Sequence, residues 1–166
     1  FIKAANSGSS IGISKVTKPQ QYQAAFESAC KVDNTVIAEM MIFGEEFTLP
    51  ILDSSPLSIV EIRPQTDFYD YEAKYHRDDT EFICPAKLDK VLVDKINQLG
   101  MKAFNALGCS GWGRVDFMIN NQNEVFIIEV NTIPGMTSHS LVPMSAKQSG
   151  LSFDSLVLKV LDTAYA

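Results

Sequence analysis

The sequence predicts an α+β fold in which antiparallel sheets carry flanking helices. Three observations point that way. Strand-like runs follow one another across residues 35–63 with only short turn sequences between them, so neighbouring strands reverse direction. Residues 112–119 and 124–130 read as a further hairpin, closed by the turn-forming amides Asn120-Asn121-Gln122-Asn123. Residues 88–107 repeat apolar side chains at helical spacing, with Leu88, Val91, Leu92, Ile96, Leu99, Ala103, Phe104 and Leu107 on one face.

Taken in order, residues 1–4 form a short strand, 6–10 a small-residue loop and 11–16 a second strand, together a hairpin. Thr17 and Gln20 fit a capping box with Pro19 in the first turn, and Tyr22, Ala25, Phe26 and Ala29 make the apolar stripe of a helix that Asp33-Asn34 ends. Strands follow at 35–41, 46–52 and 57–63, separated by Phe43-Gly44 and by Asp53-Ser54-Ser55-Pro56. Residues 64–80 are polar, rich in Tyr and Asp, and without a clean period, which suits an ordered functional surface loop. Gly108 stops the long helix. Beyond the second hairpin, 131–138 is a loop and two short helices at 140–148 and 153–164 close the chain. The composition break at Asp33-Asn34 divides the chain into a small subdomain, residues 1–34, and a larger one, residues 35–166.

At 166 residues and 46% hydrophobic, the chain has enough apolar material for a real core. No apolar run approaches the roughly 18 residues of a membrane span, and Phe1-Ile2-Lys3 lacks the order of a signal peptide, so a soluble chain with no membrane partner is expected. An opening on strand-like Phe-Ile, without Met, reads as the tail of a longer protein. Cys30, Cys84 and Cys109 have neither disulfide-framework nor metal spacing and read as reduced, near-core thiols of a cytoplasmic protein. The net charge of −6 argues against nucleic acid. An acidic protein that binds a polyphosphate must gather its few cations where the phosphates lie, and Lys3, Lys15, Lys74 and Arg114 are the cations inside motifs.

The hairpin carries the strongest chemical signal. Alternate strand residues share a face, so Arg114 and Asp116 point together, as do Glu129 and Asn131. A reversal at 120–123 brings Asp116 opposite the Glu-x-Asn pair. Two carboxylates and an amide oxygen, with no His or Cys beside them, suit a hard cation that keeps water and phosphate oxygens in its shell; a solvated hairpin with chance acids reads the same in sequence. Asn6-Ser7-Gly8-Ser9-Ser10-Ile11-Gly12 offers unobstructed backbone N–H groups of the kind that cradle phosphate, though a flexible turn has the same composition and the Walker pattern fails at Ile13. Residues 68–75, Phe-Tyr-Asp-Tyr-Glu-Ala-Lys-Tyr, interleave aromatics with charge, as a loop folding over a ligand does, though an exposed loop pinned by its tyrosines reads the same and is slightly favoured on composition alone. Ser138-His139-Ser140 and Gly108-Cys109-Ser110-Gly111-Trp112 match no nucleophile arrangement.

Lys3, Gly8-Ser9-Ser10-x-Gly12, Glu39, residues 68–75, Gly111-Trp112-Gly113-Arg114-Val115-Asp116 and Glu129-Val130-Asn131-Thr132-x-Pro134-Gly135-Met136-Thr137 together resemble the D-alanine:D-alanine ligases. The resemblance runs along the whole chain, with six motifs in order. It implies an ATP-grasp fold, with ATP in a cleft between a small and a larger subdomain, residues 1–34 being the remnant of the central lid. It implies a cytoplasmic enzyme of cell-wall synthesis that phosphorylates one D-alanine and joins it to a second, and a homodimer for the full-length protein. Two magnesium ions, with manganese as an alternative, fall to Asp116, Glu129 and Asn131. Lys3 contacts the nucleotide phosphates and the Ser9-Ser10 region covers them. Glu39, Met40 and Ile42 belong to the adenine-reading segment, Glu46 to the ribose, and Phe68, Met118 and Ile128 to the adenine sandwich. Arg114 and Gly135 match the oxyanion positions, Ser140 and Leu141 the second D-alanine pocket, and Lys74 and Tyr75 the mobile loop, Tyr75 meeting Ser9 on closure. Met40 stands where many members carry Lys. The acid for the first D-alanine amine and a second phosphate-binding Lys fall outside these residues. Another ATP-grasp carboxylate–amine ligase and a non-catalytic nucleotide-binding module are the alternatives.

Overall fold

The structure, a computed structural model, describes residues 1–7, 11–64 and 80–165. It contains two compact units, Phe1–Ile42 with Pro64–Thr80, and Phe43–Arg63 with Glu81–Ala166.

In the first unit β1 (Ile2–Ala4) pairs antiparallel with β2 (Val36–Ala38), Lys3 lying opposite Ile37. Ile2 also exchanges two backbone hydrogen bonds with Ser14, N to O at 2.9 Å and O from N at 2.8 Å. The strand expected at 11–16 is thus a single bridge. Helix α1 (Tyr22–Cys30) turns Ala25 and Ala29 onto Ile2, while Tyr22 and Phe26, one turn apart, stay exposed and stack on each other at 6.2 Å. Its entry is closed by Gln21 rather than Gln20, the Gln21 Oε1 accepting from Thr17 N at 2.9 Å and Lys18 N at 3.0 Å. Because β2 pairs with β1, the boundary between units falls after Ile42 and not after Asn34.

Asp33 ties the ends of this unit's loops. Its Oδ1 accepts from Thr35 N at 3.0 Å, and its Oδ2 from Asn6 N at 2.7 Å and Asn6 Nδ2 at 2.8 Å. These donors, Thr35 first, hold the carboxyl below its ordinary 3.8. A depressed acid stabilises the fold above its unfolded pKa, and that contribution disappears as pH falls through the lower folded value. Asp33→Asn is therefore expected to flatten the fall in melting temperature below pH 3.8, which thermal unfolding across the acid range reads directly.

The second unit is one antiparallel sheet in the order β6-β5-β3-β7-β8, with β4 attached to β3. Its strands are β3 (Gly44–Leu52), β4 (Ser55–Pro56), β5 (Val60–Arg63), β6 (Glu81–Ile83), β7 (Gly113–Asn120) and β8 (Val125–Asn131). The strand expected at 57–63 is shorter, starting at Val60 after Ser55 and Pro56 have paired back on β3, and β6 is a strand that the sequence reading does not contain. β3 and β7 run opposite each other from Gly44↔Asn120 to Ile51↔Gly113. One face of this pair presents Phe47, Leu49, Ile51, Val115, Phe117 and Ile119 to Leu92, Ile96 and Phe104 of α2 (Lys90–Ala106), with the Phe47 and Phe117 rings stacked at 5.6 Å. A Cβ at Gly100 would stand 2.5 Å from Leu49 Cδ2, so α2 rests on the sheet where it has no side chain.

Asp89 caps α2 by accepting from Leu92 N at 2.8 Å, and Gly108, at φ +69°, ends it with Gly108 N to Asn105 O and Cys109 N to Phe104 O. Helices α3 (Leu141–Gln148) and α4 (Phe153–Thr163) form a second cluster from Val142, Ala146 and Leu156 with Leu52. The α+β class with antiparallel sheets is as the sequence predicts. Cys84 and Cys109 are half-buried, burial pushing the Cys84 thiol up, whereas Cys30 is exposed and not a near-core thiol.

Candidate metal and nucleotide site

Asp116 lies mid-strand in β7, directly opposite Thr48 of β3 on one side and Glu129 of β8 on the other. Alternation puts Arg114 and Met118 on the same face, away from the α2 core. Arg114 faces Asn131 across the ladder. Four donors surround the Asp116 carboxylate, which is 7% exposed. Arg114 donates from Nε to Oδ1 and from a terminal nitrogen to Oδ2, both at 2.7 Å, a planar fork on a planar acceptor. Thr48 Oγ1 donates to Oδ1 at 2.5 Å, and Asn131 Nδ2 donates to Oδ2 at 2.9 Å.

Asn131 Nδ2 also donates to Glu129 Oε1 at 3.1 Å. One amide group thus touches both carboxylates, so Asp116, Glu129 and Asn131 converge on a single point. Rotating that amide exchanges its nitrogen for its oxygen, so Asn131 can offer an acceptor in the same place. The donor set then consists of hard oxygens only, which fits magnesium or manganese. Among the described residues no three His, Cys, Asp or Glu side chains gather, and the third ligand here has to be the amide.

Two features of the site leave no trace in the sequence. Thr48, fully buried in an otherwise apolar stretch, is one. The other is a bulge in β8: Asp116 pairs with Glu129 but Phe117 pairs with Ile127, leaving Ile128 as the extra residue. By this register Phe126, not Ile127, stands opposite Met118 on the face of the carboxylates. Ile128, at the bulge, is 42% exposed. Glu46 stands between Met118 and Ile62 in the ladder, one pleat from Thr48 and Asp116.

Gly135 and Ser140 meet at the entry to α3. A Cβ on Gly135 would come within 2.9 Å of Ser140 Oγ, which accepts from Thr137 N at 3.0 Å. The Leu141 side chain is buried. In the first unit Lys3 Nζ pairs with Glu39 Oε2 at 2.8 Å, which gives Lys3 a carboxylate partner rather than open water. The Glu39 backbone is committed to Phe1, N to O at 2.9 Å and O from N at 2.8 Å. Met40 is 74% exposed and Ile42 half-buried. Ser9, Ser10, Phe68, Lys74 and Tyr75 lie outside the described residues.

The sequence model of the family described as D-ala D-ala ligase C-terminus matches residues 1–162. The chain belongs to this D-alanine–D-alanine ligase family. It is 47% identical over 165 residues to D-alanine–D-alanine ligase B of Chromobacterium violaceum, covering 99% of this chain and 54% of that protein. It is 47% identical over 164 residues to a D-alanine–D-alanine ligase of Acinetobacter baumannii, covering 98% and 53%. The chain thus spans about half the length of the curated relatives it matches. Among solved structures it is similar to the VanG D-Ala:D-Ser ligase of Enterococcus faecalis, with TM-score 0.87 and 37% identity over 98% of this chain and 48% of that one. A D-alanine–D-alanine ligase of Bacillus anthracis gives 0.86 and 34% over 99% and 53%. A D-alanine–D-alanine ligase of Bacillus anthracis complexed with ATP gives 0.79 and 30% over 90% and 48%. The chain therefore has the ATP-grasp fold of the D-alanine–D-alanine ligases. Among the described residues, no helix of this family member is long and apolar enough to cross a membrane.

Proposed function

We propose that the chain carries the metal-binding and phosphoryl-transfer half of a cytoplasmic D-alanine:D-alanine ligase. The γ-phosphoryl group of ATP passes to a carboxylate oxygen of one D-alanine, and ADP leaves. The amine of a second D-alanine then attacks the acyl carbon, its proton is lost, and inorganic phosphate departs with the bonding pair. The observation that carries this reading is the convergence of Asp116, Glu129 and Asn131 about one amide, beside the Arg114 fork.

Asp116, Glu129 and Asn131 hold the metal in this reading. Asp116 already accepts four hydrogen bonds, about as many as a carboxylate has lone pairs for, so the ligand arrangement forms when Asn131 turns its amide and presents oxygen. Two magnesium ions, when bound, neutralise charge on the triphosphate and on the transferring group. Arg114, fixed at the rim of this cluster, faces the oxyanion that forms at the acyl carbon, with the Gly135 backbone as its partner. Met118 and Ile128 contact the adenine, and Phe126 extends that apolar surface. Glu46 takes the ribose hydroxyls, Met40 to Ile42 read the adenine edge, and Lys3, released from Glu39, serves the phosphates. Ser140 and the Leu141 backbone hold the second D-alanine. Ser9, Ser10, Phe68, Lys74 and Tyr75 keep the roles the resemblance implies, and the full-length protein is a homodimer.

The 166 residues alone are expected to bind nucleotide weakly and not to turn over, because the family's positions for the first D-alanine amine and a second phosphate-binding Lys fall outside them. A coupled phosphate-release assay with ATP, magnesium and D-alanine tests this; steady turnover by the isolated chain contradicts it. A chimera joining the amino-terminal part of the Chromobacterium violaceum ligase to this chain is expected to turn over with D-alanine. Supplying D-serine as acceptor tests the other carboxylate–amine reading, which the likeness to a D-Ala:D-Ser ligase favours.

A further inference from the structure

We infer that Thr48 is a positioning residue for the metal site, fixing the Asp116 carboxylate so that one oxygen faces Glu129 and Asn131. The inference rests on the reading of Asp116 as a metal ligand. β3 is buried from Phe47 to Leu52, and in that run Thr48 is the one polar side chain. Valine has almost the same shape, suits a strand equally well and needs no hydrogen-bond partner. The hydroxyl at this fully buried position must therefore be satisfied, and it is: Oγ1 donates to Asp116 Oδ1 at 2.5 Å. Its contact with Val115 O is longer, 3.4 Å.

The two carboxylate oxygens consequently differ. Oδ1 is held by the buried Thr48 hydroxyl and by Arg114 Nε. Oδ2 accepts from the Arg114 terminal nitrogen and is turned toward Asn131, whose amide also reaches Glu129. Thr48 and Asp116 are direct cross-strand partners, so the hydrogen bond needs no long side chain and has little freedom to miss. Such a bond, made by a residue that does not itself touch the ion, sets the direction of a ligand and is worth roughly tenfold to a hundredfold in metal affinity elsewhere.

The test is manganese binding, in the presence of a nonhydrolysable ATP analogue, by the chimera that supplies the amino-terminal part, followed by the loss of the free-manganese paramagnetic resonance signal. Thr48→Val is expected to weaken manganese binding about tenfold, and Thr48→Ser, which keeps the hydroxyl, to stay within about twofold of the parent. Thermal unfolding runs beside each titration, because a purely structural hydroxyl would lower the melting temperature and leave affinity alone. If Thr48→Val does not fold, Thr48→Ala is titrated instead against Thr48→Ser. Equal affinities for the hydroxyl and hydroxyl-free variants overturn the role of Thr48. Absence of manganese binding by the parent chimera overturns the metal reading itself, so the two failures are distinct.

Discussion

Asp116→Asn is expected to weaken binding of manganese with a nonhydrolysable ATP analogue by more than about a hundredfold, beyond the usual effect of losing a residue behind the ligands. The substitution removes the negative charge at the one ligand that is both buried and held by four donors. An asparagine there also turns an N–H toward a donor, either the Arg114 fork or the Asn131 amide. Stability falls as well. Removing one partner of a buried ion pair costs roughly 3–5 kcal/mol, and the Arg114 side chain, 21% exposed, relaxes partly into water and brings the expected loss to about 3 kcal/mol. Isothermal titration and urea unfolding measure the two effects separately. An unfolding change without a change in affinity places the role of Asp116 in the fold alone.

Arg114→Ala, made in the chimera that supplies the amino-terminal part, is expected to lower kcat by about 10²–10³ with little change in the KM for ATP, the signature of a contact made in the transition state. The geometry behind this is the two-point contact with Asp116, which holds the guanidinium in one orientation beside the metal ligands. Arg114→Lys retains the charge but not the fork, so it is expected to recover only part of the loss. Steady-state phosphate release decides between this and a structural role, for which kcat per folded molecule is unchanged.

The hairpin that carries the candidate site was readable because its signal is local. Arg114 and Asp116, and Glu129 and Asn131, sit at spacings of two, and Asn120 closes the turn by accepting from Gln122 N and Glu124 N, both at 2.9 Å. What escaped depends on partners far along the chain. Thr48 reads as one more strand residue until its hydroxyl is seen against a carboxylate 68 positions away. The bulge residue follows an identical isoleucine, Ile127 before Ile128, so nothing in the sequence marks which of the two is extra. The break at Asp33-Asn34 was genuine, but it marks the end of α1 and its loop; β2 lies beyond it and returns to β1, which moves the division between units. Residues 11–16 had a strand's composition and found a ladder partner only at Ser14.

The most direct measurement of the central claim is an anomalous difference map from crystals of this chain grown with manganese and a nonhydrolysable ATP analogue. The claim predicts a peak bounded by Asp116, Glu129 and the Asn131 amide oxygen, with phosphate oxygens completing its shell. Bound nucleotide with manganese elsewhere, or with the Asn131 nitrogen still bridging the two carboxylates, would contradict it.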